Sequence, residues 1–412
     1  MSRMDEYFIK GGFMKIKLSI ENATKLWMFG LLFTPYILRS KFMPDVFAAG
    51  NFISLLGMIL ALHKVGKRTD NFEKIIMIFV AFSFMLCVIN SADMRSIVKI
   101  ILSTFLPIGI LHISRIENNR GYIIFKTALI FFNVMAYILL FIVVIDFLTN
   151  HSMSTNIASF LNTQSVIGQA RDNRLVSFFG HSLNSMLFML GYFILHILDA
   201  LYVSKHRKIL APTIISMIVI AATGSKTGLI LIMATIIICY GNRKMVKYIP
   251  IMAVAVFVMF KYGVLDLVLG RLSIGIQSGD ITTDRVTYLT RLMKTGAISF
   301  DLFKGHDASL INNSVAMIGA LENPILRWAF RYGVLFAALM SISILIIPLL
   351  KVIKIGKVRI ALLAVIYIIA INAFDTICSI GDSMLMYCTV IVLITIAGKI
   401  TSDKMGDKGT GD

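Results

Sequence analysis

The run Ile209–Tyr240, "ILAPTIISMIVIAATGSKTGLILIMATIIICY", decides the fold. It is apolar except for one small polar knot, "TGSKTG" (Thr223 to Gly228). Basic clusters bracket it: "KHRK" (Lys205 to Lys208) before, "NRKMVK" (Asn242 to Lys247) after. Lysine and arginine accumulate in the cytoplasmic loops of membrane proteins. If both clusters lie there, the run must cross outward and return. Each leg of this hairpin is then about 15 residues, or about 22 Å at ~1.5 Å per residue. The hydrocarbon core of a bilayer is ~30 Å thick, so the turn sits below the outer surface. Non-helical backbone at that depth survives only where protein buries it or a wet cavity adjoins it. The competing reading, one long tilted helix, breaks the alternation of charge. A phosphate-binding P-loop is excluded. That motif needs G-x-x-x-x-G-K-[ST] after a strand, whereas here Gly224-Ser225-Lys226-Thr227 lies between apolar helices.

Working outward, the whole chain has the same character. Of its 412 residues 58% are hydrophobic and only 15% charged, where soluble domains carry ~25% charged residues. Apolar runs recur at helix length without two-residue alternation, which predicts an all-α polytopic membrane protein rather than a membrane barrel. The formal charge of +18 reads as topology. No zinc-finger spacing or aromatic-basic platform points to nucleic acid. Cys87, Cys239, Cys378 and Cys388 all fall in apolar runs and read as small core residues, not as a disulfide framework. The first apolar run begins near Thr24 with no small-residue cleavage site after it, so no cleaved leader is expected. The basic stretch before it suits the inner membrane surface.

About twelve spans are expected, centred on Leu31, Ser54, Val80, Leu106, Tyr137, Leu190, Met217, Ala234, Val256, Ala338, Ile366 and Ile391. They form a single integral membrane domain over 1–412. Short basic connections hold 25 of the 40 lysines and arginines. This puts those connections, both termini and the short tail 399–412 in the cytoplasm. Two long connections, about 149–183 and 266–322, then face outward and carry short helices. The stretch "TTDRVTYLTRLMKTGAI" predicts one such helix, capped by Thr283, with Val286, Leu289, Leu292 and Met293 on its apolar face. Long outward loops point to work done on the outer face.

The outward cations are few and gathered: Arg171 and Arg174, Lys226, Arg285 and Arg291, and Arg327 and Arg331, the last two one turn apart on one helix face. Charges within spans are expensive and are functional hypotheses by default. The plainer alternative is an interfacial arginine reaching the headgroups, with Trp328 and Tyr332 as belt residues. An anion carried by a lipid would use these groups. Guanidinium binds phosphate bidentately and lysine supplies a point charge. The helix starting after Lys226, capped by Ser225 or Thr227, would aim its positive end at the same place. Glu322 in "GALENPIL" is the candidate base. Its plainer reading is a helix-start carboxylate, with Pro324 in the first turn. His181 and His306 are the other outward bases, each reading first as a loop or helix-start histidine and then as a supporting group. Asp375 and Asp382 border the last outward turn and either line the cavity or cap helices. No DxD pair or His/Cys cluster suggests a metal.

Taken in chain order, these stretches resemble the O-antigen polymerase and O-antigen ligase superfamily of bacterial polysaccharide assembly. An arginine followed by "SFFGHSLN" (Ser177 to Asn184) resembles the family's R…G/S-x-F-x-H-P-N segment. "GSKTGLI" resembles its S-R-T-G-L turn. "DRVTYLTRLMKTGAISFDLFKGHD" resembles its loop arginines and the long-loop glycine motif, here at Gly305. "ENPILRWAFRYGVL" resembles the segment that closes the large loop. The resemblance covers about the central half of the chain. Lys226 departs from the usual arginine and Ser182 from the usual proline. Glu322 stands where the ligase branch has histidine, which favours a polymerase.

The resemblance implies glycosyl transfer between undecaprenyl-pyrophosphate-linked oligosaccharides at the bacterial inner membrane, without metal, nucleotide sugar or other cofactor. It implies Glu322 as base, with Arg331 beside it. It implies Arg174, Lys226, Arg285, Arg291 and Arg327 as pyrophosphate ligands, and a chain-length regulator as a partner. Three alternatives stay open: an O-antigen ligase, a flippase for lipid-linked sugars, and a multi-span glycosyltransferase using lipid-phosphate sugars. A flippase predicts short loops and charges spread through both halves. The last class places acids in its first outer loop, where "RSKFMPD" offers only Asp45.

Overall fold

The computed structural model describes residues 19–65, 70–91, 93–205, 209–240, 285–307 and 320–406, with isolated positions in 256–273 and at 310 and 317. Its helices are α1 (Ile20–Phe33), α2 (Tyr36–Phe42), α3 (Asp45–Ala49), α4 (Phe52–Leu62), α5 (Asn71–Asn90), α6 (Met94–Arg115), α7 (Asn118–Leu148), α8 (Ser152–Leu161) and α9 (Gln164–Arg171). They continue as α10 (Ser182–Val203), α11 (Leu210–Ala222), α12 (Lys226–Tyr240), α13 (Arg285–Lys294), α14 (Pro324–Tyr332), α15 (Val334–Lys354), α16 (Val358–Asn372) and α17 (Ser383–Gly406). No strand occurs among the described residues.

Six of these helices, α5, α6, α7, α10, α15 and α17, are long and apolar enough to cross a membrane. The expected twelve spans are thus not reproduced by length. The centres at Leu31, Ser54, Met217, Ala234 and Ile366 fall in helices of 14, 11, 13, 15 and 15 residues. Most of the run around Val256 lies outside the described residues. Local chemistry ends the short helices early. After α1 comes Thr34-Pro35, and α2 starts at once. Gly224, at φ 67°, turns the chain between α11 and α12. The opening run is therefore a hairpin and not one helix. Its turn is packed inside protein, with Thr223 and Ser225 buried.

Burial orders the bundle. The apolar windows of α10 and α17 are 83% and 89% buried, against 28% for α5, so the first two form the centre and α5 the rim. The exposed apolar face of α5 includes Phe82, Met85 and Ile89. α1 and α4 form a close pair through glycine. A methyl at Gly57 would lie 2.2 Å from the Trp27 backbone N, and one at Gly30 2.3 Å from that of Ser54. Small residues are the usual means of such backbone approach. α15 contains a π-turn at Ile342–Ile346, and the buried Tyr387 hydroxyl of α17 donates to the Ile344 carbonyl there at 2.6 Å.

Among the described residues, parts of the basic connections meet at one end and parts of the less basic ones at the other. At one end buried Glu73 pairs with Arg115 and Lys351, Lys399 reaches the Ser114 carbonyl, and Lys126 pairs with Asp199. The other end gathers the α1–α2 break, the 149–183 loop, Glu322 and the segment after α16. Because several helices stop short there, the end is hollow.

Candidate functional site

The hollow is a cavity of about 290 Å³. Its walls come from Pro35 and Tyr36 after α1, from Thr163 and Ser165 at the start of α9, and from His181 and Asn184 at the start of α10. Glu322, Asp375 and Asp382 complete its polar rim. Leu31, Leu187, Ile371 and Met386 make an apolar floor, together with Tyr367.

Two of the three carboxylates are each held by one arginine. Glu322 precedes α14, whose N-terminus is closed by Asn323 accepting from the Ile325 and Leu326 amides, with Pro324 at the first position. Glu322 pairs with Arg285 of α13. Arg285 also donates to the Ala373 carbonyl at 3.1 Å and lies over the Phe374 ring at 5.5 Å. Arg327, one turn into α14, pairs with Asp375. Glu322, Arg285 and Arg327 are therefore brought together, but neither arginine lines the cavity. The two carboxylate residues line it and their arginine partners do not. Arg331 is partly exposed and lies 5.1 Å from the Tyr332 ring.

Asp382 is held differently. It accepts from the Tyr36 amide at 2.6 Å, from Arg39 Nη1 and Nη2 at 3.1 and 3.0 Å, and from Asn51 Nδ2 at 3.4 Å. Arg39 also donates to the carbonyls of Ala48 and Thr34. This buried network ties the α1–α4 connection to the start of α17. Sequence reasoning missed Arg39 and Asn51. The available signal was a lone arginine in a short outward connection.

His181 caps α10. Its Nδ1 accepts from the Leu183 amide at 3.2 Å, leaving Nε2 to carry the proton. The Ser182 amide is satisfied by Gln169 Oε1 at 2.7 Å. Burial, with the charge of Arg174 added to it, pulls the His181 pKa down to about 4. Arg174 donates through Nε to the Thr223 carbonyl at 2.9 Å, and the Leu175 amide bonds Ala222. Arg174 therefore packs on the "TGSKTG" turn, as the shared location of the two motifs anticipates. Lys226 opens α12, where Ser225 Oγ accepts from the Gly228 amide at 3.1 Å. Of the two expected caps, Ser225 is the one seen. Neither Arg174 nor Lys226 lines the cavity.

Two candidates sit apart. Arg291 is exposed on α13. His306 stacks on Phe330 at 4.5 Å and contacts Ser299, so its visible role is packing of the long loop. That loop is fixed closely. The Val334 and Leu335 amides bond the Asp301 and Leu302 carbonyls, and Asn90 Oδ1 accepts from the Gly305 amide at 2.7 Å. The expected apolar face of α13 is only half used. Leu289 and Leu292 pack against Ile298 and Phe330, while Val286 and Met293 are exposed. The cap assigned to Thr283 lies outside the described residues. Among the described residues no group of three His, Cys, Asp or Glu is placed to hold a metal ion.

No protein-family model, characterised protein or solved structure matches this chain.

Proposed function

We propose that this chain polymerises undecaprenyl-pyrophosphate-linked oligosaccharide repeat units on the outer face of the bacterial cytoplasmic membrane, in O-antigen, capsule or exopolysaccharide assembly. One observation carries the reading. Stretches far apart in sequence meet at one end of the bundle, around a cavity with Glu322 on its wall: Arg174 to Asn184, Arg285 and Glu322 to Arg331. The "TGSKTG" turn packs against the first of them. The finer topology belongs to the same proposal: about twelve passes, with short helices completing their crossings through buried turns, and both termini cytoplasmic.

In the proposed reaction a hydroxyl of the incoming unit attacks the anomeric carbon of the growing chain. A carbon–oxygen bond forms there as the bond to the pyrophosphate oxygen breaks. Glu322 takes the hydroxyl proton. The electron pair leaves with the lipid pyrophosphate, whose charge is met by Arg174, Lys226 and Arg331. Arg285 and Arg327 keep Glu322 and Asp375 oriented, and His181 holds the start of α10. Loss of one such stabilising group costs ~10²–10³ in rate in comparable sites. The test is complementation of a deletion strain, read by gel laddering of the surface glycan. Alanine at Glu322, Arg174 or Arg331 should leave single repeat units and no ladder. Long chains from all three variants refute the assignment. Repeat units trapped inside the cell in the deletion strain favour a flippase instead.

A further inference from the structure

The charged groups on the polar wall of the cavity are all carboxylates, set among the hydroxyls of Ser165 and Thr376 and the His181 ring. Three carboxylate residues line the cavity, and among the described residues no lysine or arginine does. An ionised carboxylate only accepts hydrogen bonds. Asp382 already receives its donors from Tyr36, Arg39 and Asn51, so it shapes the wall. Glu322 and Asp375 are each paired with a single arginine, which leaves acceptor positions toward the cavity. His181 Nδ1 is occupied by the helix amide, so its Nε2–H is a donor. A ligand entering here must offer donors to the carboxylates and can accept from His181, Ser165 and Thr376, as sugar hydroxyls do. An anionic group would set acceptor against acceptor at the carboxylates and lose its hydration there without return.

The floor is apolar: Tyr367 lies there fully buried, with its hydroxyl close to Gly191, deeper in the bundle. Tyr36 and Phe179 supply ring surface on the wall. The volume, about 290 Å³, is at the small end of the ~300–1,000 Å³ typical of small-molecule sites. It admits one ring-sized group and not a long lipid.

We propose that this cavity is a sugar subsite that takes a neutral or amine-bearing pyranose and rejects one carrying a carboxylate or phosphate. Placing the acceptor sugar here, with pyrophosphate held outside by Arg174 and Lys226, rests on the polymerase reading; the binding preference does not. Glu322 and Asp375 are then the specificity-determining groups.

The experiment uses the purified full chain in detergent, with glucose, glucosamine and glucuronic acid as probes at millimolar concentration. Saturation-transfer NMR reads binding and thermal melting reads folding. Glucose and glucosamine should bind, with glucuronate at least tenfold weaker. Glu322→Gln and Asp375→Asn should each narrow that gap at least threefold. Ser165→Trp, at the exposed mouth and in no ion pair, should abolish all sugar signals and covers the case in which a carboxylate variant fails to fold. Glucuronate binding as tightly as glucosamine, or no binding by any of the three, overturns the proposal. If sugars are discriminated as expected while Glu322→Ala strains still make long chains, the polymerase reading falls and the subsite stands.

Discussion

Removing the Asp382 carboxylate tests how the two ends of the chain are joined. The Arg39–Asp382 pair is largely buried, with side chains 7% and 14% exposed. Asp382→Ala strips two guanidinium hydrogen bonds and orphans the Tyr36 amide. Arg39 keeps the Ala48 and Thr34 carbonyls but loses its counter-charge. Breaking a buried pair from one side costs ~3–5 kcal/mol. Water in the adjoining cavity can solvate part of the exposed edge, which lowers the expectation to about 3 kcal/mol. At ~2 °C per kcal/mol, the low end for larger domains, the melting temperature should fall by about 6 °C. The assay is thermal melting in detergent across a double-mutant cycle with Arg39→Met. The double variant should melt above Asp382→Ala alone, because replacing both charges removes the stranded one. Losses that simply add, with no coupling, would show that the pair does not hold the α1–α4 connection to α17.

Glycine contacts offer a second test. A methyl at Gly305 would lie 1.9 Å from the Arg331 carbonyl oxygen. Backbone cannot swing aside as a side chain can, so Gly305→Ala should cost about 3 kcal/mol, the upper end for overpacking. It should lower the yield of folded protein, whereas Gly168→Ala, with open space around it, should not. His181 gives a pH signature. Its folded pKa of about 4 lies below the unfolded value of ~6.5. Between those values the unfolded chain binds the extra proton, so stability is complete above about 6.5 and declines as pH falls toward 4. Compared with wild type, His181→Asn, which keeps a capping acceptor, should lose less stability over that window, by about 2 kcal/mol after allowance for partial exposure. Parallel pH profiles would contradict this. Tyr387→Phe should cost about 1 kcal/mol in thermal melting by leaving the Ile344 carbonyl of the π-turn unpaired. No change there would mean the carbonyl finds another donor.

Much of the architecture is legible in the sequence because membrane insertion writes it locally. Six long apolar runs became six long helices. Helix starts were also readable: Pro324 stands in the first turn of α14, and Ser225 next to Lys226 provides one of the two expected caps. Span counting was less legible. Hydropathy registers an apolar stretch, but Pro35 and Gly224 decide where a helix stops within it. Of these two breaks, the one at Pro35 borders the cavity.

The candidate residues divide in the same way. Glu322, Arg285 and Arg327 are visible as charges in unusual places, since a charge near an apolar run stands out in one dimension. Which charge pairs with which is not written there. Arg39 and Asp382 are more than three hundred positions apart, yet they form one network. Local composition by itself determined the helical class, the two-sided charge pattern and the places worth suspecting, because burial in lipid and helix capping act over neighbouring residues. Only the packed bundle decided that carboxylate residues line the cavity while their arginine partners do not, because ion pairing depends on distances that chain separation does not set.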